Sequence, residues 1–156
     1  ESWHTGSKGM LRGAKGSSWE GGFRVPGIVR WPGVVPAGQV SAEMASTLDL
    51  LPTFASAGGA AVPSDRKYDG SDLLPFLKGS APAPRKDFFY YVGDKLHAVR
   101  EGPWKLRAPA GGKAELFHLD RDPAEMYDVL GRYPEIAARL SARLTEKGVE
   151  LASPGG

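Results

Sequence analysis

A glycine-rich stretch from Leu11 to Gly33 constrains this chain more than any other part of its sequence. It reads LRGAKGSSWEGGFRVPGIVRWPG and contains six glycines, four cationic side chains and two tryptophans. Glycine lacks a Cβ, so it permits a positive φ and lets the backbone approach a ligand closely. Lys15 lies in this stretch between Gly13 and Gly16. The pattern therefore makes Lys15 the first candidate for contact with an anion.

Composition and charge narrow the range of partners. Of the 156 residues, 41% are hydrophobic and 24% are charged, which is typical of a globular domain with its own core. The net charge of +2 is too small to indicate nucleic-acid binding, and no run of about 18 apolar residues predicts a membrane span. Cysteine is absent, which excludes disulfides and thiolate metal sites within these residues. Because the chain begins at Glu1 and not at methionine, we expect a fragment of a longer protein.

The positive charge is concentrated near the N-terminus. Residues 1–33 contain five Lys or Arg side chains but only two Glu side chains. A local excess of this size favours a small anionic substrate over a polyanion.

Local patterns in the first half of the chain predict short strands and short helices. The β-branched run Val25–Trp31 has a proline near its start and another after its end, and it predicts a buried strand. Ala42–Thr47 indicates a second short strand. Asp49-Leu-Leu-Pro and Asp72-Leu-Leu-Pro each begin a predicted short helix, with the aspartate as a cap and the leucines facing a core.

Beyond a Pro- and Ala-rich connection at residues 79–86, the pattern changes to that of a strand meander. Four β-rich runs separated by glycine-containing loops predict a small antiparallel sheet. The runs are Phe88–Val92, Leu96–Arg100, Trp104–Arg107 and Ala114–Leu119. After them, Tyr133–Lys147 predicts a helix that ends at Gly148 and covers the sheet with its apolar face.

Two groups of side chains resemble metal ligands. Asp120, Asp122 and Glu125 carry the hard oxygen atoms that bind divalent cations. The Asp-Pro-Ala-Glu order that starts at Asp122 is better explained as a capping box that opens a helical turn. His97 and His118 lie within predicted strands, with no other ligand at metal spacing. We therefore predict no metal ligands in this chain.

The string GAKGSSWEGGFRVPGIVRWPG resembles the second, more C-terminal signature of the sulfatase family. In that signature, Gly-x-Lys-Gly continues into Glu-Gly-Gly-x-Arg-x-Pro and then into Trp-Pro-Gly. Further matches follow in order, namely STLDLLPTFASAGG, DGSDLLPFL, AVREGPWKL and ELFHLDRDPAEMYDVL, so the resemblance covers residues 13–130. The chain is thereby identified as resembling the C-terminal portion of an arylsulfatase-like hydrolase in the alkaline-phosphatase-like superfamily.

This resemblance implies the fold and its division into domains. It implies an α/β fold, present here as the last strands and helices of a large sheet plus a small four-stranded antiparallel sheet with a C-terminal helix. We expect residues 1–80 to be the end of the catalytic α/β domain, residues 81–151 a C-terminal subdomain and residues 152–156 a disordered tail. An incomplete large sheet would expose an edge and an apolar face, so the lone chain is expected to be poorly soluble or to associate. The sequence does not predict an oligomeric state.

The resemblance also implies which side chains touch the substrate. The signature lysine, here Lys15, binds the sulfate group and its bridging oxygen in the family. His4 lies just after the expected position of an Asp-Asn metal pair, and it is either close to the substrate or a solvated loop residue. Some sulfatases bind substrate through a histidine in the loop that corresponds to residues 108–113. Here Lys113 is the candidate that replaces it.

Glu20 and Arg24 are predicted to act one step further from the substrate. They lie four residues apart around two glycines, so they can form an ion pair that orients the loop carrying Lys15, or reach the substrate themselves. We favour the supporting role. A site held by glycines needs rigid neighbours to keep its side chains aimed.

The resemblance further implies a calcium ion and a formylglycine nucleophile. Sulfatases form formylglycine by oxidising the first residue of a Cys/Ser-x-Pro-x-Arg motif. This chain has no cysteine, and in its nearest string, which runs from Ser80 to Arg85, the arginine comes one position too late. We therefore expect both the nucleophile and the calcium ligands to lie upstream of this chain.

Three functions remain open from the sequence. The leading one is part of a sulfuric ester hydrolase that supplies the sulfate-binding lysine and is inactive alone. Its substrate would be a small sulfate ester or a sulfated glycan, and its family makes secretion or periplasmic export the expected location. The alternatives are a fragment of a phosphate or phosphonate ester hydrolase of the same superfamily, and a non-catalytic anion-binding module.

Overall fold

The computed structural model of the chain describes residues 6–152, which form two compact units. One unit comprises the described residues up to Pro26 together with those from Asp87 onward, and the other comprises Gly27–Lys86. The helices are α1 (Glu20–Phe23), α2 (Leu50–Ala57), α3 (Leu74–Leu77) and α4 (Pro134–Ala152). The strands are β1 (Asp87–Val92), β2 (Lys95–Glu101), β3 (Trp104–Arg107) and β4 (Glu115–His118).

The predicted meander is confirmed as a four-stranded antiparallel sheet with the order β1-β2-β3-β4. Tight turns join the first three strands, and Gly93 and Gly102 have φ of 62° and 56° in these two turns. Those angles favour glycine because a Cβ would be strained there. A register shift between Tyr90 and Tyr91 interrupts the pairing of β1 with β2.

One face of the sheet is aliphatic and packs against α4. Val99, Leu106 and Leu116 come from three adjacent strands and are fully buried with Leu140 of the helix. The predicted C-terminal helix and its apolar face are confirmed. The helix continues through Gly148 to Ala152, so the predicted exit at Gly148 is wrong, because glycine weakens a helix without having to end it.

The opposite face of the sheet carries aromatic and charged side chains. Ala98 is paired with Tyr90 on one side and with Arg107 on the other, and Lys105 is paired with Phe117. Successive side chains of a strand point to opposite faces, so these residues lie on the face away from Val99, Leu106 and Leu116. Phe88, Arg100 and Glu115 belong to the same face. Residues 18–23 of the glycine-rich stretch contact this face. Phe23 makes edge-to-face contacts with Phe88 and Tyr90 at 6.0 and 5.0 Å.

In the second unit, the two predicted short helices are present, but Asp49 acts differently from a simple cap. Asp49 is fully buried, and its carboxylate accepts hydrogen bonds from the backbone amides of Ser46 and Ser71 and from the guanidinium of Arg85. Ser46 is the residue that caps the preceding turn. Asp49 therefore joins three segments of this unit.

The leucines of these helices are divided between buried and exposed positions. Leu73 and Leu74 are buried, as predicted. Leu50 and Leu51 are 43% and 56% exposed, so the prediction that they face a core is wrong within the described residues.

The predicted strands at Val25–Trp31 and Ala42–Thr47 are not formed. Ile28 is 91% exposed, and the first run has no strand partner among residues 6–152. A strand needs a neighbour for its backbone hydrogen bonds, so β-propensity alone does not produce one.

The proposed division into residues 1–80 and 81–151 stays a prediction. Ala152 is the last residue of α4, and the rest of the predicted disordered tail lies outside the described residues. None of the helices in residues 6–152 combines the length and the apolarity needed to cross a bilayer.

Candidate functional site: a glycine turn anchored on a buried charge cluster

The glycine-rich stretch folds into a tight turn whose path requires several of its glycines. Gly13 has φ of 75°, and a Cβ on it would lie 2.6 Å from the Cβ of Trp19. A Cβ on Gly21 would lie 2.6 Å from the carbonyl oxygen of Arg12, which accepts a hydrogen bond from the Gly21 amide at 2.8 Å. A Cβ on Gly22 would come within 2.3 Å of another backbone oxygen. The backbone therefore folds back on itself at distances that side chains would prevent.

Lys15 lies at the tip of this turn. The segment Ala14–Ser17 closes through a hydrogen bond from the Ser17 amide to the Ala14 carbonyl at 3.1 Å, and the Ser17 hydroxyl donates to the same oxygen at 2.7 Å. Lys15 is exposed, and its ammonium has no hydrogen-bond or ion-pair partner in the part of the chain that the structure describes. Its three donors are therefore available to a ligand.

Cation–π contacts fix the base of the turn. The guanidinium carbons of Arg12 and Arg107 lie 3.7 and 4.1 Å from the centroid of the Trp19 ring. Trp19 also makes an edge-to-face contact with Phe117 of β4 at 5.8 Å. Arg12 donates to the backbone carbonyl of Glu125 at 2.8 Å, so this tryptophan and its arginines connect the turn to two distant segments.

A buried charge cluster lies beside this base. Lys105 of β3 has no solvent exposure, and its ammonium lies 2.9 Å from Oε1 of Glu20 and 2.8 Å from Oε1 of Glu125. The hydroxyl of Tyr90 donates to Oε1 of Glu20 at 2.8 Å, and the guanidinium of Arg100 lies 3.8 Å from Oε2 of Glu20. The Lys105 ammonium is also 4.0 Å from the centroid of the Tyr90 ring.

Glu20 and Glu125 are joined directly as well as through Lys105. The backbone amide of Glu20 donates to Oε2 of Glu125 at 2.7 Å. Oε1 of Glu125 lies close to the Lys105 ammonium, but it has no hydrogen bond of good geometry in the described residues. Oε1 of Glu20 thus accepts two hydrogen bonds, whereas Oε1 of Glu125 interacts with Lys105 mainly through charge.

The two carboxyl groups respond oppositely to this environment. Burial opposes ionisation of Glu20, but the charge of Lys105 and the hydrogen bonds from Lys105 and Tyr90 outweigh it and lower the pKa of Glu20. Burial dominates at Glu125 and raises its pKa. Burial and then the nearby Glu20 charge raise the pKa of Tyr90 well above its usual value, so this phenol stays a donor.

Two sequence-based predictions about these residues are wrong. Glu20 pairs with Lys105 and Arg100 of the sheet, and it forms no ion pair with the exposed Arg24 in the described residues. Glu125 is not the last residue of a capping box, because its φ is 54° and its side chain enters the charge cluster. The carboxylate of Asp122 instead accepts hydrogen bonds from the backbone amides of Met126 and Tyr127, the two residues that follow Glu125. The long-range attraction of Lys105 outweighed the local capping pattern.

The remaining sequence-based candidates are Lys113, His4 and His118. Lys113 is exposed and pairs with Asp128 at 2.9 Å, and this hydrogen bond raises the pKa of Lys113. His4 lies outside the described residues. The prediction that His118 is a sheet residue is confirmed, since it lies in β4 with its ring 4.6 Å from that of Trp104.

The carboxylates of the described residues do not form a calcium site. Within residues 6–152, no group of three or more His, Cys, Asp or Glu side chains is placed to hold a metal ion. The two carboxylates of the charge cluster, Glu20 and Glu125, are already bound to Lys105. The described residues therefore do not fit a calcium ion.

Sequence reasoning missed Lys105, Tyr90 and the role of Glu125. One signal was present, because Lys105 lies between two apolar residues of a predicted strand. A lysine on the second face of a sheet is usually solvated, and no local pattern indicates that this face is covered. The partners of Lys105 are 85 and 20 positions away along the chain, which no local pattern encodes.

Comparison with known proteins relates this chain to sulfatases. Residues 14–150 match the family described as N-sulphoglucosamine sulphohydrolase, C-terminal. The chain is 48% identical to steryl-sulfatase of Homo sapiens over 101 residues, which are 64% of this chain and 17% of that protein. It is 35% identical to human arylsulfatase D and 36% identical to arylsulfatase A of Bos taurus. Those two matches cover 90% and 86% of this chain but 30% and 31% of the relatives, so the chain spans less than a third of their length.

Solved structures confirm the predicted fold class. The PsFucS1 sulfatase from Pseudoalteromonas sp. superposes with a TM-score of 0.81 over 93% of this chain and 34% of its own, at 24% identity. A protein solved in complex with its substrate D-glucosamine-2-N,6-O-disulfate is 29% identical, with a TM-score of 0.63 over 77% of this chain and 27% of its own.

Proposed function

The chain belongs to the C-terminal N-sulphoglucosamine sulphohydrolase family, and we propose that it is the C-terminal part of a sulfuric ester hydrolase in which Lys15 binds the sulfate group. The observation that carries the proposal is the geometry of Lys15. Its ammonium is exposed, and it has no partner among the described residues, at the tip of a turn whose base is buried and charged. A free cation on a fixed support is the arrangement that anion recognition needs.

Lys15 would contribute to catalysis through its charge. When the S–O bond of a sulfate ester breaks, negative charge develops on the bridging oxygen. An ammonium beside that oxygen stabilises the charge more in the transition state than in the ground state, which accelerates the reaction. Lysine suits this role because its charge is compact and its three donors rotate freely.

The other predicted site residues have supporting positions in this proposal. Glu20 positions the turn from beneath through its bonds to the sheet. Arg24 and Lys113 are exposed cations, and Lys113 would have to leave Asp128 to reach a substrate. His4 remains a candidate substrate contact. The calcium ion and the formylglycine nucleophile are assigned to the remainder of a complete protein.

The proposed substrate is a sulfate ester, either a small molecule or a sulfated glycan. A sulfated sugar is supported by the related structure whose bound substrate is a disulfated glucosamine. Secretion or periplasmic export is proposed as the location from the family alone.

The proposal is tested in the complete protein with an aryl sulfate as substrate. Lys15→Ala is expected to lower kcat/KM by about 10²–10³-fold, the usual cost of removing one charge-stabilising donor. Thermal unfolding should not change, because Lys15 has no partner to lose in the described residues. Lys95→Ala, which removes an exposed lysine at the start of β2, is the matched control and should leave kcat/KM unchanged.

The outcomes separate the three functions. Faster turnover of a matched aryl phosphate would favour a phosphate ester hydrolase. No turnover of either ester by the complete protein would favour the anion-binding module. Clear sulfatase activity of the isolated 156-residue chain would contradict the expectation that it is inactive alone.

A further inference from the structure

Lys105 is a fully buried cation that the proposed chemistry does not use. It lies on β3, one of the two inner strands, on the face opposite α4. Both of its carboxylate partners come from outside the sheet. Glu20 belongs to the glycine-rich stretch, and Glu125 belongs to the segment after β4. Lys105 is therefore the point at which three separate segments meet.

We propose that Lys105 is a positioning residue that sets the orientation of the turn carrying Lys15, by holding Glu20 and Glu125 together beneath it. This inference rests on the proposed function of Lys15. Lys105 itself touches neither substrate nor reacting atoms. It affects the position of Lys15 through the backbone of residues 12–20.

The contacts at the base of the turn support this path. Glu20 makes two anchoring contacts. Its carboxylate forms an ion pair with Lys105, and its backbone amide donates a hydrogen bond to Glu125. The carbonyl of Glu125 in turn accepts a hydrogen bond from the guanidinium of Arg12 at 2.8 Å. Arg12 and Glu20 lie on the two sides of the tip, so both ends of the turn are fixed to the same buried pair.

The turn itself transmits this orientation because it has little freedom between those two ends. The Gly21 amide is bonded to the Arg12 carbonyl, and the Ser17 hydroxyl closes the tip. The ammonium of Lys8 adds a contact to the Gly13 carbonyl. A shift of the two carboxylates would therefore move the tip as a unit.

The charge on Lys105 is what makes this position specific. Its ammonium lies 2.9 and 2.8 Å from the two carboxylates, and it lies over the ring of Tyr90, whose hydroxyl binds the same Glu20 oxygen. A methionine at position 105 would fill similar space without attracting either carboxylate. A displacement of about 1 Å in a catalytic group can lower the rate by about 100-fold.

The experiment uses the complete protein with an aryl sulfate and compares Lys105→Met with Lys105→Arg. Lys105→Met is expected to lower kcat by up to about 100-fold and to change KM little, because the orientation of Lys15 matters most in the transition state. Lys105→Arg keeps the charge and should restore part of the activity. Lys95→Met, at an exposed lysine in the adjacent strand, is the matched control and should behave as wild type.

A double-mutant cycle decides whether Lys105 acts through Lys15. In a Lys15→Ala background, Lys105→Met should have almost no further effect on kcat/KM, because the group that it positions is already gone. An equal fold-change in both backgrounds would overturn the proposal and would make Lys105 a general structural residue. The wild-type and Lys15→Ala proteins test the function of Lys15 separately, so the two proposals can fail independently.

Glu125→Gln keeps the inference testable if Lys105→Met does not fold. An amide oxygen at position 125 can still accept the Glu20 amide, but it loses the charge that attracts Lys105. We expect kcat to fall and amide hydrogen exchange to rise in residues 12–20. Unchanged kcat and unchanged exchange in this variant would also overturn the proposal.

Discussion

The two faces of the antiparallel sheet are built on different physical principles. The face towards α4 contains Val99, Leu106 and Leu116, packed without charges against Leu140. The face towards the glycine-rich stretch contains Lys105 at its centre, surrounded by aromatic rings and carboxylates. Both faces are buried. They differ in the chemical nature of the groups that pack against them.

Apolar packing is non-directional, whereas the buried charges fix positions. Aliphatic side chains can rearrange with modest cost as long as volume is conserved. A buried ion pair is tied to one geometry, because any unpaired charge in a low dielectric is costly. The aliphatic face therefore stabilises the unit, and we infer that the charged face determines where the turn with Lys15 lies.

The largest expected effect on stability comes from the aliphatic face. Leu140→Ala should lower the opening free energy of the β2 and β3 amides by about 2–5 kcal/mol, because it leaves a cavity at a fully buried position. Hydrogen exchange measures this locally in the complete protein. The kcat of the folded molecules should not change, since the helix lies on the other side of the sheet.

Leu151→Ala is the control for that substitution. Leu151 is in the same helix but is 50% exposed. Truncating its side chain should therefore lower the opening free energy far less than Leu140→Ala does. A fall in kcat with Leu140→Ala, at unchanged folding, would contradict the separation between the two faces.

A smaller effect distinguishes the two carboxylates of the charged face. Glu20 has a lowered pKa, so its ionised form stabilises the fold above the usual Glu value of 4.5, and this stabilisation is lost as the pH falls through the lower folded-state pKa. Glu20→Gln should therefore lower stability at pH 7 by about 1.5–3 kcal/mol, the usual worth of hydrogen bonds to a charged group. The loss should shrink in acid.

Glu125→Gln should show the opposite pH dependence. The pKa of Glu125 is raised, so its ionisation destabilises the fold as the pH rises through 4.5 and the destabilisation is complete above the folded-state pKa. At pH 7 this variant should therefore lose less stability than Glu20→Gln. Thermal unfolding of both variants across about pH 4–8 checks the pair. The same pH dependence in both would show that the two carboxylates are equivalent.

The smallest effect is expected at the exposed edge of the aliphatic side. Arg143 pairs with Asp87 at 2.5 Å and with Glu146 at 3.0 Å, but its side chain is 44% exposed. Arg143→Gln should cost about 0–1 kcal/mol in the opening free energy of β1, and less in high salt. A loss as large as that of Leu140→Ala would mean that surface charges hold this sheet as firmly as its core does.

Most of the sheet and its helix could be predicted because their signals are local. Four short β-rich runs with turn residues between them indicate a meander, and each observed strand agrees with its predicted run to within one residue. The helix from Pro134 follows from apolar spacing and a proline at the first position. The strand predicted at Val25–Trp31 failed for the converse reason, because it depends on neighbours that the described residues do not supply.

Local sequence was enough to predict the glycine turn, the place of Lys15 within it, the four strands of the sheet and the helix that covers them. What covers the second face, and with it the pairing of Lys105 with Glu20 and Glu125, became visible only in the folded chain. Periodicity and steric freedom act between near neighbours in the chain, so a sequence displays them directly. Charges buried in a common low-dielectric environment select partners by distance in space, and residues far apart in sequence can satisfy them.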